Sequence, residues 1–574
     1  MDSWSENVIP LSECRHAENA GANADESLAS VPAGLAVAVS EWKVVVGPEN
    51  VLDSSTTLQR YASSTLPYQT LPLAVVRPFT VEEIQSVLQI SSQQRIPSYP
   101  ISCGKNWGYG CANPTSQGCV IIDLSRMDKI LHMNDELGIV TVQPGVTQRH
   151  LNAYLFEQSL NFLVPVTGAG PDASVVGNAV ERGYGITPYS DHFGAVIALE
   201  AVLPNGEIYR SPHCDLGVRD GMRSYKWGIG PYTDGLFTQG NFGIVTEMSI
   251  ALAPKPKSIE TFFFFLRSEK HLEEAVTSVR DILGVSGCST GAINLMNARR
   301  VIATKAPYPW DSLGKDNVVK DEEIDRLMLE HGVAPWVGFG ALYGDACINR
   351  TAKRLLKRKL KPLCSAVQFI KVQSFRNIMR YLPWLSFVSR RTRFIQELAG
   401  ALDIVSGIPS EVAMPLAYWR LRHRPARLHH LDPTNDGCGL IWYSPIVPMQ
   451  SSIVRDFVTW VSEICRAHGM EPLITLTTMS RPNCCFSCSL PLLFDPKNEN
   501  ESDRADRCYR VLVKQGMAKG FMPYRTNTSS MHKIVDEEAP YWRLVEVLKR
   551  AVDPGNILAP GRYSTLSGSP PAKG

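Results

Sequence analysis

The chain has 574 residues, of which 44% are hydrophobic and 20% are charged, which is the mixture of an ordinary globular protein. At ~150 residues per domain, this length predicts two to four domains. The 58 Lys and Arg residues nearly balance the 56 Asp and Glu residues, for a net charge of +2. Binding to nucleic acid or to an anionic membrane requires a larger positive charge. We therefore expect a small-molecule partner, and neither nucleic acid nor a membrane.

The fourteen cysteines are too sparse for a disulfide scaffold. Cys484, Cys485 and Cys488 lie together, but no second pair and no nearby His completes a tetrahedral zinc site. The N-terminal residues lack the apolar core of a signal peptide, and no apolar run approaches the ~18 residues of a membrane span. These features predict a cytoplasmic protein without a metal site.

The two ends of the chain have the composition of unstructured segments. Residues 1–38 are rich in Ala, Asn, Ser and Glu without periodicity, so they are predicted to form a mobile arm, and residues 567–574 a short tail. Regular structure follows the arm. A strand is predicted at 74–76, and a capping box at Thr80–Glu83 opens a helix.

Two clusters of small residues follow in the first half. The strand predicted at 96–102 leads into Gly104–Gly110, which lacks both the Gly-Lys-Ser/Thr ending of a nucleotide-hydrolysing loop and the Rossmann spacing. Its backbone N–H groups could cradle a pyrophosphate, because glycine permits positive φ, or the loop could be only a turn. The cluster Thr167–Gly170, followed by Ser174–Asn178, allows the same two interpretations.

Further along the chain, strands are predicted at 135–144, and the Asn205-Gly206 dipeptide predicts a hairpin over 196–210. The composition changes at Ala253–Lys257. Beyond this point strands alternate with amphipathic helices, a pattern that predicts a sheet with helices on one face. Strand and helix pairs are predicted at 261–266 and 271–283, 336–343 and 351–360, and 440–446 and 451–468.

Six segments carry a longer pattern between about residues 70 and 563: Pro100–Gly110, Gly177–Phe193, Gly230–Gln239, Gly243–Thr246, Tyr524–Thr526 and Asp553–Gly561. In this order they resemble the vanillyl-alcohol oxidase and p-cresol methylhydroxylase (PCMH) family. The resemblance implies an α+β flavoprotein with a two-part, PCMH-type FAD-binding domain and a central α+β cap domain. On that plan the FAD-binding domain comprises residues 39–255 and 506–566, and residues 256–505 form the cap.

The same resemblance implies roles for individual residues. Those expected along the FAD pyrophosphate and the rest of the cofactor are Ser102, Gly104, Lys105, Asn106, Pro165, Thr167, Ser174, Gly177, Asn178, Gly183, Gly185 and Val245. Tyr109, Tyr524 and Arg525 match the trio that binds a phenolic oxygen. A guanidinium and two hydroxyl donors favour the phenolate of a phenol whose free pKa is near 10. Without the resemblance, the residues favour a simpler interpretation, in which Tyr524 and Arg525 are a surface pair and Tyr109 belongs to a packed turn.

Three positions depart from the family pattern. Leu440 stands where other members carry a His that tethers FAD, so non-covalent FAD is predicted. Three upstream histidines are alternative tethers: His423, His429 and His430. Ala169 stands where some oxidases have an Asp near the flavin, and Asp172 would need a shifted register to replace it. A paired His motif is replaced around Asn483 and Cys484.

The predicted activity is FAD-dependent removal of a hydride from the benzylic carbon of a para-substituted phenol or related aromatic compound. The resulting p-quinone methide leads to oxidation, hydroxylation or desaturation. The alternatives are a tailoring oxidase that couples or cyclises a larger aromatic natural product, and a flavin-free binding protein on the same fold. No haem-attachment motif is present, so molecular oxygen is the expected electron acceptor. By analogy with the family, a homodimer is possible.

Overall fold

The computed structural model describes residues 32–218, 223–287, 289–381, 398–425, 429–479 and 484–565. Asn483, the predicted tail and most of the predicted arm lie outside the described residues. The first helix, Leu35–Val46, has Trp42 fully buried. The boundary predicted after residue 38 therefore falls inside this helix.

The strands form three main sheets. A small sheet has the order Val51–Leu52, Val75–Val76, Val120–Asp123 and Ser98–Ile101. An antiparallel sheet has the order Ile130–Asn134, Ile139–Val142, Ile244–Ala251, Val196–Val202 and Ile208–Arg210. A large sheet has the order Cys364–Lys371, Ser258–Leu266, Trp336–Gly344, Asn294–Asn297, Thr475–Thr478, Cys485–Phe494 and Gly439–Tyr443, and Ile446–Pro448 also pairs with Cys485–Phe494. A ribbon pairs Phe162–Leu163 with Ala253–Pro254.

The helices pack around these sheets. In chain order they include Leu35–Val46, Ser55–Ala62, Val81–Gln93, Gln148–Glu157, Val175–Val180, Pro212–Asp215, Leu272–Ser286, Ala298–Lys305, Asp321–His331, Ala346–Leu360, Val372–Tyr381, Ser451–Ala467, Glu499–Ala518 and Pro540–Val552. Shorter 3₁₀ turns lie at Pro48–Asn50, Leu124–Arg126, Asp234–Phe237, Glu269–His271, Trp310–Ser312, Met414–Tyr418 and His532–Ile534. Within the described residues, no helix combines the length and apolar character needed to cross a membrane.

Local sequence signals explain several of these elements. The Thr80 hydroxyl accepts a hydrogen bond from Glu83 N at 3.2 Å and so caps the predicted helix. Gly206 has φ +87° in the predicted hairpin. Residues 135–138, however, form a turn rather than part of a strand. The Asn134 side chain accepts from Leu137 N at 2.9 Å, and such an Asn-initiated turn competes with a strand ladder.

One face of the large sheet is apolar throughout, whereas the other face carries both apolar and polar side chains. Its apolar face packs on helices that include Leu272–Ser286 and Ser451–Ala467, and Leu295 and Leu476 are fully buried there. Because neighbouring side chains on a strand point to opposite faces, the polar neighbours of these two residues in sequence lie on the other face: Asn294, Thr475 and Thr477. The predicted α+β architecture is confirmed. The predicted one-sided packing is wrong, because the helices Ala298–Lys305 and Asp321–His331 pack on the other face, in a cluster with Val337.

Candidate active site

A cavity of about 470 Å³ lies between loops of the first half of the chain and the polar part of the mixed face of the large sheet. Thirteen of the fifteen residues predicted to bind FAD or substrate line it; Pro165 and Gly185 do not. We call the lining residues 102–106, 167–169, 173–174, 176–178 and Gly183 the loop wall. The sheet wall comprises Asn294, Thr475, Thr477 and Ser489 of the large sheet, together with Arg300 of the helix Ala298–Lys305.

The two small-residue clusters of the loop wall meet one another. A Cβ atom on Gly177 would lie 2.3 Å from the Ser102 Oγ, so a larger residue at this position would displace the Ser102 side chain. The Ser174 hydroxyl accepts from Gly177 N at 2.8 Å and donates to Pro144 O at 2.6 Å. These hydrogen bonds fix the second cluster internally and join it to Pro144.

The loop wall has the donors that a pyrophosphate requires. The backbone N–H groups of Gly104, Lys105 and Asn106 donate to no described protein group, and Gly104 has φ +64°. Consecutive unpaired N–H groups form an anion-binding concavity. The Lys105 ammonium lies 2.8 Å from Asp432. Burial acts to raise the pKa of Asp432, but this ammonium holds it below its ordinary value.

Gly185 lies behind the loop wall. A Cβ atom there would come within 2.7 Å of both Val166 O and His192 Nε2. Burial lowers the pKa of His192 to about 4, so the ring is neutral at physiological pH. Its Nδ1 hydrogen-bonds the Asn178 side-chain oxygen. Gly185 therefore leaves room for a histidine that orients a residue of the wall.

The structure brings together the three residues predicted to bind a phenolic oxygen. The Arg525 guanidinium carbon lies 3.7 Å from the centre of the Tyr109 ring and 5.6 Å from that of Tyr524. Ser444, which the sequence did not suggest, ties them together. Its hydroxyl lies 2.6 Å from the Tyr109 hydroxyl, and its carbonyl accepts from Tyr524 N at 3.1 Å.

The charges around this trio are defined. Burial raises the pKa of Tyr524 above its ordinary value, so Tyr524 is a neutral hydroxyl that can donate. Burial acts to lower the pKa of Arg525, but the oxygens of Tyr109, Tyr524 and Glu181 raise it overall. Burial acts to raise the pKa of Glu181, but Arg562, which it hydrogen-bonds, and Arg525 hold it below its ordinary value. The cluster thus contains two cations and one carboxylate.

The sheet wall was not predicted. Thr475, Thr477 and Asn294 alternate with buried apolar neighbours along two adjacent strands. The Asn294 Oδ1 and Thr475 Oγ1 atoms are buried without a hydrogen-bond partner. The Thr-Leu-Thr alternation at 475–477 could have identified a polar face, but nothing local indicates that this face lines a cavity.

The structure also locates the positions that depart from the family pattern. Leu440 lines the cavity, as does Ala169. The three alternative tether residues are exposed and do not line it: His423, His429 and His430. Asp172 does not line it either, and forms an ion pair with Arg149 at 2.8 Å. Asp172 therefore does not replace the missing aspartate.

Comparison with known proteins agrees with this geometry. A family model described as an FAD binding domain matches residues 72–211. The chain is 35% identical to the 1'-carboxy-chondrochloren decarboxylase of Chondromyces crocatus over 542 residues, covering 93% of this chain and 98% of that protein. It is 28% identical to the flavoprotein subunit of 4-cresol dehydrogenase (hydroxylating) of Pseudomonas putida over 540 residues, covering 92% and 94%.

The structural similarity is equally extensive. The crystal structure of p-cresol methylhydroxylase with substrate bound superposes with a TM-score of 0.81 at 26% identity, covering 92% of this chain and 96% of that one. The chain belongs to the PCMH and vanillyl-alcohol oxidase family. It is an FAD-dependent oxidoreductase with a PCMH-type FAD-binding domain, as the resemblance implied. The alternative of a flavin-free binding protein is therefore excluded.

Proposed function

We propose that this enzyme oxidises a para-substituted phenol, or a related aromatic compound, at its benzylic carbon. The observation that carries the proposal is the stacking of Arg525 on Tyr109, with Tyr524 beside them, in the cavity lined by the loop wall. FAD, when bound there, accepts the two electrons and the hydrogen that leave the benzylic carbon.

The trio acts on the other end of the substrate. A guanidinium and hydroxyl donors in a partly dry pocket stabilise the phenolate more than the phenol, and so lower the pKa of the bound phenol below ~10. The phenolate moves electron density toward the para carbon and makes its side chain easier to oxidise. The product of this step is a p-quinone methide.

The residues that line the cavity determine which reactions of the quinone methide they can assist. Among the described lining residues there is no histidine, and Glu181 is the one carboxylate. Because Glu181 pairs with Arg562, it is not free to act as a base. Addition of water or loss of a proton therefore takes place without a dedicated base from these residues.

The Chondromyces relative, a decarboxylase by name, favours a second candidate, oxidative decarboxylation. If the carbon next to the benzylic carbon carries a carboxylate, the bond to that carboxylate breaks in the quinone methide. Its electron pair forms a carbon–carbon double bond, the ring returns to the phenolate, and CO₂ leaves. This step needs no base, which agrees with a lining that offers no free carboxylate or histidine among the described residues. Coupling or cyclisation of a larger aromatic natural product stays an alternative.

The two candidates give different products from 3-(4-hydroxyphenyl)propanoate. Decarboxylation yields 4-vinylphenol and CO₂, whereas proton loss yields the unsaturated acid and water addition yields the 3-hydroxy acid. Chromatography of the products distinguishes them. Retention of the carboxyl group in every product would rule out the decarboxylase candidate for this substrate.

FAD is proposed to be non-covalent, with its pyrophosphate held by the unpaired N–H groups of Gly104, Lys105 and Asn106. The parts of the lining that come from residues 256–505 include no His, Tyr or Cys that could form a tether. Acid precipitation should release the yellow colour into the supernatant, and colour in the pellet would contradict this.

Molecular oxygen is the proposed electron acceptor. Reoxidation of the reduced flavin that is slow in air but fast with an added cytochrome would contradict this proposal.

The Arg525→Met variant tests the role of the trio. It removes the charge but keeps a long side chain, so flavin reduction by a para-alkylphenol under nitrogen should slow by ~10²-fold or more. Arg422→Met is the matched control, because Arg422 stacks on Trp310 at 3.8 Å outside the cavity. A folded, FAD-loaded Arg525→Met enzyme that reduces its flavin at the rate of the unchanged protein would refute the role.

A further inference from the structure

The cavity is lined by more positive than negative side chains. One carboxylate, Glu181, faces four cations: Lys105, Arg300, Arg525 and Arg562. Three of these have a partner described above, namely a carboxylate or an aromatic ring. The Arg300 guanidinium makes no hydrogen bond or ion pair with any described residue. Among the described lining residues, it is the one cation without a partner.

The position of Arg300 on the sheet wall is defined by backbone contacts. Its N–H group and that of Ile474 both donate to Asn297 Oδ1, at 3.0 and 3.2 Å. Arg300 therefore lies beside the start of the strand that begins at Thr475. The unpartnered Thr475 hydroxyl and Asn294 amide oxygen line the same cavity. Three polar groups of the sheet wall therefore have no partner among the described residues.

The preceding residue shows how this fold satisfies a buried arginine. Arg299 donates to Glu471 at 2.6 Å, to Asp321 at 2.6 Å and to the Val319 carbonyl at 2.9 Å. Arg300 has no comparable set of acceptors, and burial lowers its pKa to about 10, so it stays cationic at neutral pH. An unpaired charge in a partly dry cavity is costly, and an anionic ligand would remove that cost.

We propose that Arg300, assisted by the Thr475 hydroxyl, binds a carboxylate that the substrate carries on its side chain. The FAD pyrophosphate has its own unpaired donors on the opposite loop wall, which leaves Arg300 for the substrate. The inference rests on the proposed function insofar as Arg525 binds the phenolic end of the same molecule. The substrate class is then a 4-hydroxyphenyl compound with a carboxylate on its side chain.

Three ligands separate the two ends of the substrate: 3-(4-hydroxyphenyl)propanoate, 4-propylphenol, which lacks the carboxylate, and 3-phenylpropanoate, which lacks the phenol. Their dissociation constants are measured with the holoenzyme, by rapid mixing under nitrogen, from the concentration dependence of the flavin absorbance change. The unchanged enzyme should bind 3-(4-hydroxyphenyl)propanoate at least tenfold more tightly than 4-propylphenol. Arg300→Gln should remove this preference, and Arg300→Lys should restore part of it.

Arg326→Gln is the matched control, since it removes one positive charge from the exposed helix Asp321–His331; it should keep the preference. The proposal is overturned if the unchanged enzyme has no preference for the carboxylate. It is also overturned if Arg300→Gln changes all three dissociation constants by one factor or lowers the FAD content, because Arg300 would then contact the cofactor.

Arg525→Met separates this inference from the proposed function. It should weaken the binding of both phenols and leave 3-phenylpropanoate nearly unaffected. If 3-phenylpropanoate binding depends on Arg300 but neither phenol reduces the flavin, the carboxylate site is supported and benzylic phenol oxidation fails. If both phenols reduce the flavin with no dependence on Arg300, the opposite holds.

Discussion

The two walls of the cavity present different chemistry. The loop wall presents backbone N–H groups and small residues, such as the unpaired donors of Gly104–Asn106 and the close contact of Gly177 with Ser102. The sheet wall presents side chains, including Arg300 and Thr475, whose polar atoms lack protein partners. A wall of backbone donors suits a constant cofactor, whereas a wall of side chains changes with each substitution. We therefore expect loop-wall changes to affect FAD and sheet-wall changes to affect substrate.

The largest effect is expected behind the loop wall, for Gly185→Ala. Its Cβ would lie 2.7 Å from both Val166 O and His192 Nε2, and relieving such overpacking costs about 2–3 kcal/mol of the free energy of unfolding. The displaced loop should also hold less FAD. Urea unfolding and the flavin absorbance of the purified protein measure both effects.

Gly284→Ala is the control for that substitution. Gly284 lies in the helix Leu272–Ser286, and a Cβ there would meet nothing within 4 Å. It should be neutral or slightly stabilising, because alanine favours a helix. If both variants had the same stability and FAD content, the close packing behind the loop wall would be unimportant.

A smaller effect is expected from the titration of His192. Its pKa is near 4 in the folded protein and about 6.5 unfolded, so the unfolded chain binds more protons between these values. The resulting stability is complete above pH 6.5 and declines as the pH falls toward 4. About 2 kcal/mol should be lost between pH 7 and pH 5.

His192→Gln tests this titration, since glutamine does not ionise. The loss of unfolding free energy between pH 7 and pH 5 should be smaller in the variant by about 2 kcal/mol, as measured by urea unfolding at the two pH values. The exposed His429→Gln is the control. An unchanged pH dependence in His192→Gln would show that this ring does not become protonated on unfolding.

The smallest effect is expected for Thr475→Val on the sheet wall. The substitution keeps the shape but removes a buried hydroxyl without a partner, so stability and FAD content should hardly change. Affinity for 3-(4-hydroxyphenyl)propanoate should fall about threefold to tenfold, the value of one hydrogen bond. Thr261→Val removes another unpartnered hydroxyl of the large sheet, outside the cavity, and should not alter affinity. If Thr475→Val and Thr261→Val bound 3-(4-hydroxyphenyl)propanoate with equal affinity, Thr475 would not contribute to the binding site.

The sequence predicted the loop wall better than the sheet wall for a physical reason. A loop that offers successive N–H groups needs small residues at fixed spacing, and this need is visible in the chain around Gly104 and Gly177. The trio was predicted by resemblance, although 415 positions in the printed sequence separate Tyr109 from Tyr524. Alternation along 475–477 indicates a polar face but does not indicate what the face meets.

The sequence by itself determined the α+β class, the glycine-rich loops and the family, since these depend on local conformation and on ordered motifs. Tertiary structure alone decided which polar residues share the sheet wall, because Asn294 pairs with Thr477 and Thr475 with Ser489 across strands distant in the chain. It also decided the different roles of two adjacent arginines. Arg299 meets Glu471 and Arg300 meets an open cavity, because successive residues of a helix point about 100° apart and only the packing of the whole chain determines what lies in each direction.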